Sequence, residues 1–258
     1  MIWPWLWSWI LARLLIGVRR AGCVIHADRV EWDQGLIDRL DLALNESTVC
    51  GLRYDAERGQ ARLLVEVEAL PEVGSIDRDP RRAIVLSSVE SIEVTVRRDR
   101  FGGYGPVLPL GSLDDLEQFF AGLSWAHPMY GWEFVDVSDP GPAWRVEPSL
   151  RVRHGGGVAT HSLRWFTECS SAGGASEPGS YVLQGVVWFA ELRIERADGS
   201  SLPLEGFLAD GARWWKAFRQ GDSRLSVQGQ REAASASLRW RHWSASSSVI
   251  VRAGERDD

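Results

Sequence analysis

The sequence predicts an α+β protein in which a mostly antiparallel sheet of about seven to nine strands packs against two or three helices. The first observation is that residues 48–98 form four successive blocks in which apolar and polar residues alternate. A period of two is typical of strands with one buried face. The second observation is that the segments beginning at Ser112 and Pro203 carry apolar residues at the spacing of amphipathic helices.

In the first half of the chain, a helix is followed by strands. Residues 35–44 have apolar side chains at helical spacing, and they predict a helix that ends at Asn45. The first two alternating blocks predict a hairpin whose turn contains Gly59. Two further blocks extend this hairpin to an antiparallel meander of four strands. The strands of the meander are 48–55, 61–68, 83–87 and 91–97.

In the second half, strands lie between two helices. Ser112 and Asp115 have the spacing of a capping box, which predicts a helix start. Proline is favoured at a helix start and glycine just past a helix end, so Pro203 and Gly221 predict the limits of the other helix. On that helix, one face carries Leu204, Phe207, Leu208, Trp215 and Phe218. The intervening strands are 130–137, 149–153, 161–169 and 181–195, the last of which we expect to bend or break at Gly185.

The chain is predicted to have three parts. Residues 1–28 are non-globular or mistranslated, residues 30–228 form a single α+β domain, and residues 229–258 form a mobile tail rich in serine and alanine. An apolar run at 2–18, interrupted by Arg13, has three interpretations. It is a signal-anchor, an interfacial helix, or translated sequence upstream of the true start codon. We favour the third interpretation, because no pattern in the run continues into the domain.

Charge and cysteine content narrow the classes of function. The formal net charge is -6 and the pI is about 5.5, which argues against nucleic acid as a partner. Of the 29 basic residues, all but Lys216 are arginines, and they are scattered along the chain. Cys23, Cys50 and Cys169 are widely spaced and form no CxxC pair, so no zinc site or redox dithiol is predicted. Reduced cysteines fit a cytoplasmic protein, with a membrane anchor at 2–18 as the alternative.

No catalytic motif stands out. The histidines lack metal-ligand spacing, and no GxSxG sequence occurs. His161 and Cys169 are the nearest approach to a base and a nucleophile, but eight residues of straight strand would separate them by about 26 Å. Glu133, Asp136 and Glu168 fall on strands, where paired carboxylates would suit a glycosidase or a calcium site. We predict no catalytic, cofactor-binding or metal-binding residue and no cofactor.

Adjacent aromatic residues are the best sequence signal for a binding surface. The pairs at 165–166, 188–189 and 214–215 cannot each bury both rings on one side of a strand or helix. The surplus rings either lie under a second layer of structure or face outward. Outward tryptophans and tyrosines are typical of protein-binding surfaces. The residues predicted to bind a partner are Tyr130, Trp132, Trp165, Trp188, Trp214 and Trp215.

Short motifs resemble two groups of bacterial proteins. The motif Val49-x-Gly51-Leu52-x-Tyr54-Asp55, followed by Leu63-Leu64-Val65-x-Val67, is similar to the first hairpin of small α+β proteins in bacterial toxin-immunity families. The segments 102–106, 129–134 and 165–169 resemble actinobacterial proteins that have no assigned role. The first resemblance implies a protein that binds and neutralises a toxin.

The sequence as a whole favours a cytoplasmic, non-enzymatic protein that binds another protein. Toxin neutralisation is the most concrete form of this hypothesis. One alternative is a hydrolase with a carboxylate or Cys-His site, and another is a domain tethered to a membrane by residues 2–18.

Overall fold

Alternating apolar residues form two antiparallel sheets, accompanied by four helices, in the part of the chain that the structure describes. The structure is a computed structural model, and it describes residues 32–73, 79–100, 103–126, 132–136, 148–155, 158–171 and 178–226. The predicted α+β class is confirmed, with twelve strands in the described ranges where the sequence predicts seven to nine. The predicted non-globular or mistranslated segment 1–28 and the predicted mobile tail 229–258 lie outside the described residues.

The described elements have the following bounds. The helices are α1 (Gln34–Leu44), α2 (Leu113–Ala121), α3 (Leu204–Gln220) and α4 (Ser223–Ser226). The strands are β1 (Thr48–Asp55), β2 (Gln60–Glu66), β3 (Arg81–Ser87), β4 (Ser91–Arg100), β5 (Gly103–Val107), β6 (Leu123–Ala126), β7 (Glu133–Asp136), β8 (Leu150–Arg153), β9 (His161–Ser171), β10 (Gly179–Phe189), β11 (Glu191–Arg196) and β12 (Ser201–Leu202). Sheet one has the order β1-β2-β3-β11-β12. Sheet two has the order β5-β4-β10-β9-β6, with β8 also paired to β4 and β7 to β9.

Sheet one has a mainly apolar face and a second face on which charged side chains lie beside buried apolar ones. On the apolar face, one row of directly opposed residues crosses four strands, and every member is at most 1% exposed. That row consists of Leu52, Leu63, Ile84 and Ile194. On the second face, Arg62 and Arg193 flank Val85, whose side chain is fully buried. Glu195 accepts hydrogen bonds from both arginines, so it offsets their charge while their apolar stems cover the sheet.

The chain passes from one sheet to the other twice, and both crossings lie at one shared corner. β3 leads into β4, and β10 leads into β11 through Ala190. Because β3 pairs with β11 and β4 pairs with β10, the two crossings lie side by side. The amide of Ala190 donates to the carbonyl of Ser87 at 3.1 Å, and the amide of Glu90 donates to the carbonyl of Trp188 at 3.0 Å. The corner therefore continues the backbone pairing from one sheet into the other.

The predicted antiparallel meander of four strands is wrong, because the fourth strand, β4, belongs to sheet two. The chain turns at Ser88, whose φ of 52° lies in the left-handed region that few residues other than glycine adopt. Val89 is fully buried, and its amide donates to the carbonyl of Gly59 at 2.9 Å. The apolar pattern continues through this turn, so alternation alone does not reveal the change of sheet.

The segment predicted to bend or break at Gly185 is continuous there and ends at Phe189 instead, because Gly185 makes room for a ring within the strand. β10 runs continuously through Gly185, which lies directly opposite Trp165 of β9. A Cβ atom on Gly185 would lie 2.0 Å from Cζ2 of Trp165, so the indole occupies the space above the glycine. The strand ends just before Ala190, and the chain passes through this residue into β11 at the corner between the sheets.

The helix limits follow the predicted capping residues. The Ser112 hydroxyl accepts from the amide of Asp115 at 3.2 Å, and the Asp115 carboxylate accepts from the amide of Gly111 at 2.8 Å. The second contact replaces the reciprocal bond of a capping box. Gly221, with a φ of 66°, ends α3 as predicted.

A second glycine sets the crossing of α1 and α3. A Cβ atom on Gly211 of α3 would lie only 2.7 Å from Cα of Ala43 in α1. The two backbones therefore approach as closely as small residues permit. This contact fixes the position of α3, the helix that carries the candidate functional site.

Gly185→Ala should destabilise the domain by about 2–3 kcal/mol, because the added methyl overlaps the Trp165 ring. In a Trp165→Ala background the same substitution should be close to neutral, so a double-mutant cycle measured by urea unfolding should give a coupling of about 2 kcal/mol. Gly206→Ala is the matched control, since the nearest atom to its Cβ lies 4.0 Å away. Equal costs of Gly185→Ala in the two backgrounds would show that Trp165 does not fill this space.

Candidate functional site

The structure divides each of the three adjacent aromatic pairs into one buried and one partly exposed ring. This agrees with the argument that the two members of a pair face different sides. The buried rings are Trp165, Phe189 and Trp214, and the partly exposed rings are Phe166, Trp188 and Trp215. The surplus aromatics therefore reach the surface in part, and their positions decide where a partner can bind.

Three of the predicted partner-binding residues are core residues. Trp132 is 3% exposed, and its indole N–H donates to the carbonyl of Leu44 at 3.0 Å and to the hydroxyl of Ser47 at 2.9 Å. Trp132 thus joins the start of β7 to the end of α1. Trp165 is 2% exposed beneath sheet two. Trp214 is 8% exposed and packs against Leu70. The expectation that these three rings face outward is corrected, and Tyr130 lies outside the described residues.

Trp188 and Phe166 lie on the other face of sheet two, but they do not form one apolar surface. Trp188 pairs with Ser162, so Phe166 lies four residues, or about 13 Å, further along β9. Arg164 stands between them on the same face. This face therefore offers separate rings with a charge between them.

The end of α3 brings three aromatic rings together. Trp214 and Phe218 stack with ring centroids 5.2 Å apart and planes 6° apart. Trp215 meets Trp214 edge-on at 4.8 Å and Phe218 at 6.0 Å. Leu70 and Leu225 pack around the same group. Phe218 is 59% exposed, so the cluster opens to solvent at this ring.

Phe218 is exposed although its position on the helix predicts burial. Phe207, Gly211, Trp214 and Phe218 are spaced four, three and four residues apart, which places them on one stripe of α3. The first three are buried and the last is not. The apolar stripe therefore extends past the part of the helix that the described residues cover. Sequence reasoning missed Phe218 as a site residue, because only the length of the covering layer distinguishes it from the others.

Positive charge surrounds the exposed ring. Residues 214–221 contain Lys216 and Arg219 and no acidic residue. Both side chains are exposed, and neither forms an ion pair with a described residue. The Arg219 guanidinium donates to the carbonyl of Trp215 at 3.2 Å, which holds it beside the rings. We call the exposed parts of Trp215 and Phe218, together with Lys216 and Arg219, the α3 surface.

The neighbouring charges near the α3 surface are already compensated. Arg213 pairs with Asp210, and Arg224 pairs with Asp222 at 2.8 Å. Lys216 and Arg219 are thus the two cations of this surface that are available to a partner.

Among the described residues, two of the pairings considered for catalysis, His161 with Cys169 and Glu133 with Glu168, are not brought together. Cys169 is buried, and burial raises the pKa of its thiol to about 12, so the reactive thiolate does not form near neutral pH. His161 and Cys169 lie near opposite ends of β9. Glu133 pairs across the sheet with Arg164, four residues from Glu168, so the two carboxylates are about 13 Å apart along the strand. That separation exceeds the range that glycosidases use.

The carboxylate of Asp41 has a raised pKa but no catalytic partner among the described residues. Burial, together with the negative charges of Asp38 and Glu133, raises the pKa of Asp41 to about 6. Its Oδ1 atom is buried and accepts no hydrogen bond from a described residue. Within the described ranges, no group of three or more His, Cys, Asp or Glu side chains is placed to hold a metal ion. Asp41 is therefore a source of pH-dependent stability.

Comparison with known proteins assigns the chain to no family. No protein-family model, curated protein or solved structure matches the chain. Among the described helices, none has the length and apolar character that crossing a bilayer requires.

Single Trp→Phe substitutions should separate the surface tryptophans from those in the core. Trp215→Phe and Trp188→Phe should lower the fraction of fluorescence that acrylamide quenches, because both rings are partly exposed. Trp132→Phe and Trp165→Phe should instead raise that fraction, because each removes a buried ring that acrylamide does not reach. Protection of Trp215 equal to that of Trp165 would remove the aromatic part of the α3 surface.

Asp41→Asn should stabilise the protein above about pH 6 and have little effect below pH 3.8. The pKa of Asp41 is higher in the folded state, so the folded state binds the proton more tightly and loses stability as the pH rises through this interval. Urea unfolding across the interval measures the difference from wild type. Asp198→Asn is a control of opposite sign, because hydrogen bonds from Ser200 lower the pKa of Asp198. A difference for Asp41→Asn that does not change with pH would contradict the buried-carboxylate explanation.

Proposed function

We propose that this protein binds another protein through the α3 surface. The observation that carries the proposal is the exposure of Phe218, an apolar ring on a stripe that is otherwise buried. Exposed aromatic rings backed by packed neighbours are typical of the energetic centres of protein interfaces.

The packing behind Phe218 supports a preformed surface. Its ring stacks on Trp214, which is 8% exposed, and Trp215 holds it from the side. A partner therefore meets a ring whose position is already constrained, and binding has less conformational entropy to remove. Covering the exposed part of this ring contributes about 1–2 kcal/mol, which makes it an anchor within a larger interface.

The identity of the partner as a toxin stays a prediction. It rests on the resemblance of the first hairpin to toxin-immunity families, and the α3 surface lies on a different element. Identifying the partner tests the toxin hypothesis and the α3 surface together, because a toxin bound at this surface would support both.

Site-specific photocrosslinking should capture the partner at position 218. Benzoylphenylalanine replaces Phe218 with another aromatic side chain, and the full chain is expressed in cells of the source organism. We expect an adduct of defined mass after irradiation. The matched control carries the same group at Tyr104 of β5, which is 54% exposed and lies in sheet two.

The control should give no adduct of that mass, and Trp215→Ala should abolish the adduct formed at position 218. The absence of any adduct at 218, or the same adducts from positions 104 and 218, would contradict the proposed function.

A further inference from the structure

We infer that the partner presents an acidic segment to the α3 surface. This inference rests on the proposed function and adds the chemistry of the partner. It follows from the small exposed apolar area at Phe218, from the positive charges of Lys216 and Arg219, and from the poor fit of a second copy of the chain and of an anionic membrane.

The apolar centre is too small to hold a partner alone. A phenylalanine contributes at most roughly 150–250 Å² to an interface, and a stable interface buries about 800 Å² on each side. Phe218 exposes 59% of its surface, so most of the interface must be formed by other side chains around it. The character of those side chains therefore decides which partner fits.

The side chains nearest to the exposed ring are cationic. Lys216 and Arg219 lie two residues before and one residue after Phe218, and both are exposed. Arg219 is held in place by its bond to the carbonyl of Trp215, which leaves the rest of its guanidinium available to a carboxylate. An acidic segment with an apolar residue is complementary to both the ring and the charges.

A second copy of this chain is a poor occupant. In a two-fold symmetric contact through the α3 surface, Lys216 and Arg219 would face the same two cations of the other copy. Like charges brought together in this way cost several kcal/mol.

An anionic membrane is also a poor occupant. Electrostatic membrane binding uses clusters of about four to eight basic residues. The α3 surface supplies two, and the formal net charge of the whole chain is -6, so the rest of the protein is repelled by an anionic bilayer.

Charge reversal in the photocrosslinking experiment tests this inference separately from the proposed function. The full chain with benzoylphenylalanine at 218 carries Lys216→Glu and Arg219→Glu together. The matched control carries Arg58→Glu and Arg153→Glu, which change the net charge equally at two exposed arginines outside α3. Circular dichroism and thermal unfolding confirm that both variants fold.

The reversal at 216 and 219 should lower the adduct yield about tenfold, because repulsion replaces attraction at the interface. The control should retain the yield, and mass spectrometry should place the crosslink in a segment of the partner rich in Asp and Glu. An undiminished yield after charge reversal overturns the acidic partner while leaving the proposed function standing. Adducts to lipid, to a second copy, or to residues 227–258 of the same chain overturn it as well. The absence of any adduct at 218 overturns both proposals.

Discussion

The two sheets depend on the corner that β3–β4 and β10–β11 turn together. At this point backbone pairing passes from sheet one to sheet two without interruption, because Ala190 bonds to Ser87 and Glu90 bonds to Trp188. Neither crossing can move without the other. The left-handed backbone of Ser88 and the burial of Val89 hold the turn in place. The apolar faces of both sheets are therefore fixed relative to each other by the chain itself.

The same corner leads to the position of the α3 surface. β11 leaves the corner, pairs with β12 and continues into α3, so the start of the helix is set by sheet one. The middle of the helix is held by the close contact of Gly211 with Ala43. The Arg213 guanidinium also donates to the carbonyl of Leu70 at 3.1 Å. The last turns extend beyond these contacts, which is why Phe218 remains exposed on an apolar stripe.

Local patterns predicted the three long helices and most of the longer strands, but not the short strands β5, β6 and β12. Alternation located the first strands, and Ser112 and Gly221 marked helix limits through capping chemistry that acts within a few residues. The change of sheet at Ser88 was not predictable, since apolar residues alternate on both sides of it. Gly185 looked like a break because the ring that needs its space comes from another strand. These features depend on tertiary contacts that no short window contains.

The candidate site was predictable only in outline. Adjacent aromatic pairs correctly indicated that some rings reach the surface, but the choice among them depended on packing. Trp132 is a core residue because its N–H bonds to Leu44 and Ser47, which lie far away in sequence. Phe218 has the spacing of a core residue and is exposed because the described residues do not extend over it. Burial therefore follows from where the covering layers end.

Native-state hydrogen exchange tests most directly whether the corner couples the two sheets. Leu63 lies in a central strand of sheet one and Leu183 in the central strand of sheet two. If the shared corner makes the sheets one cooperative unit, the amides of these two residues should exchange with the same free energy, equal to that of global unfolding. A clearly lower free energy of exchange for one sheet would show that it opens independently, and would contradict the coupling through the corner.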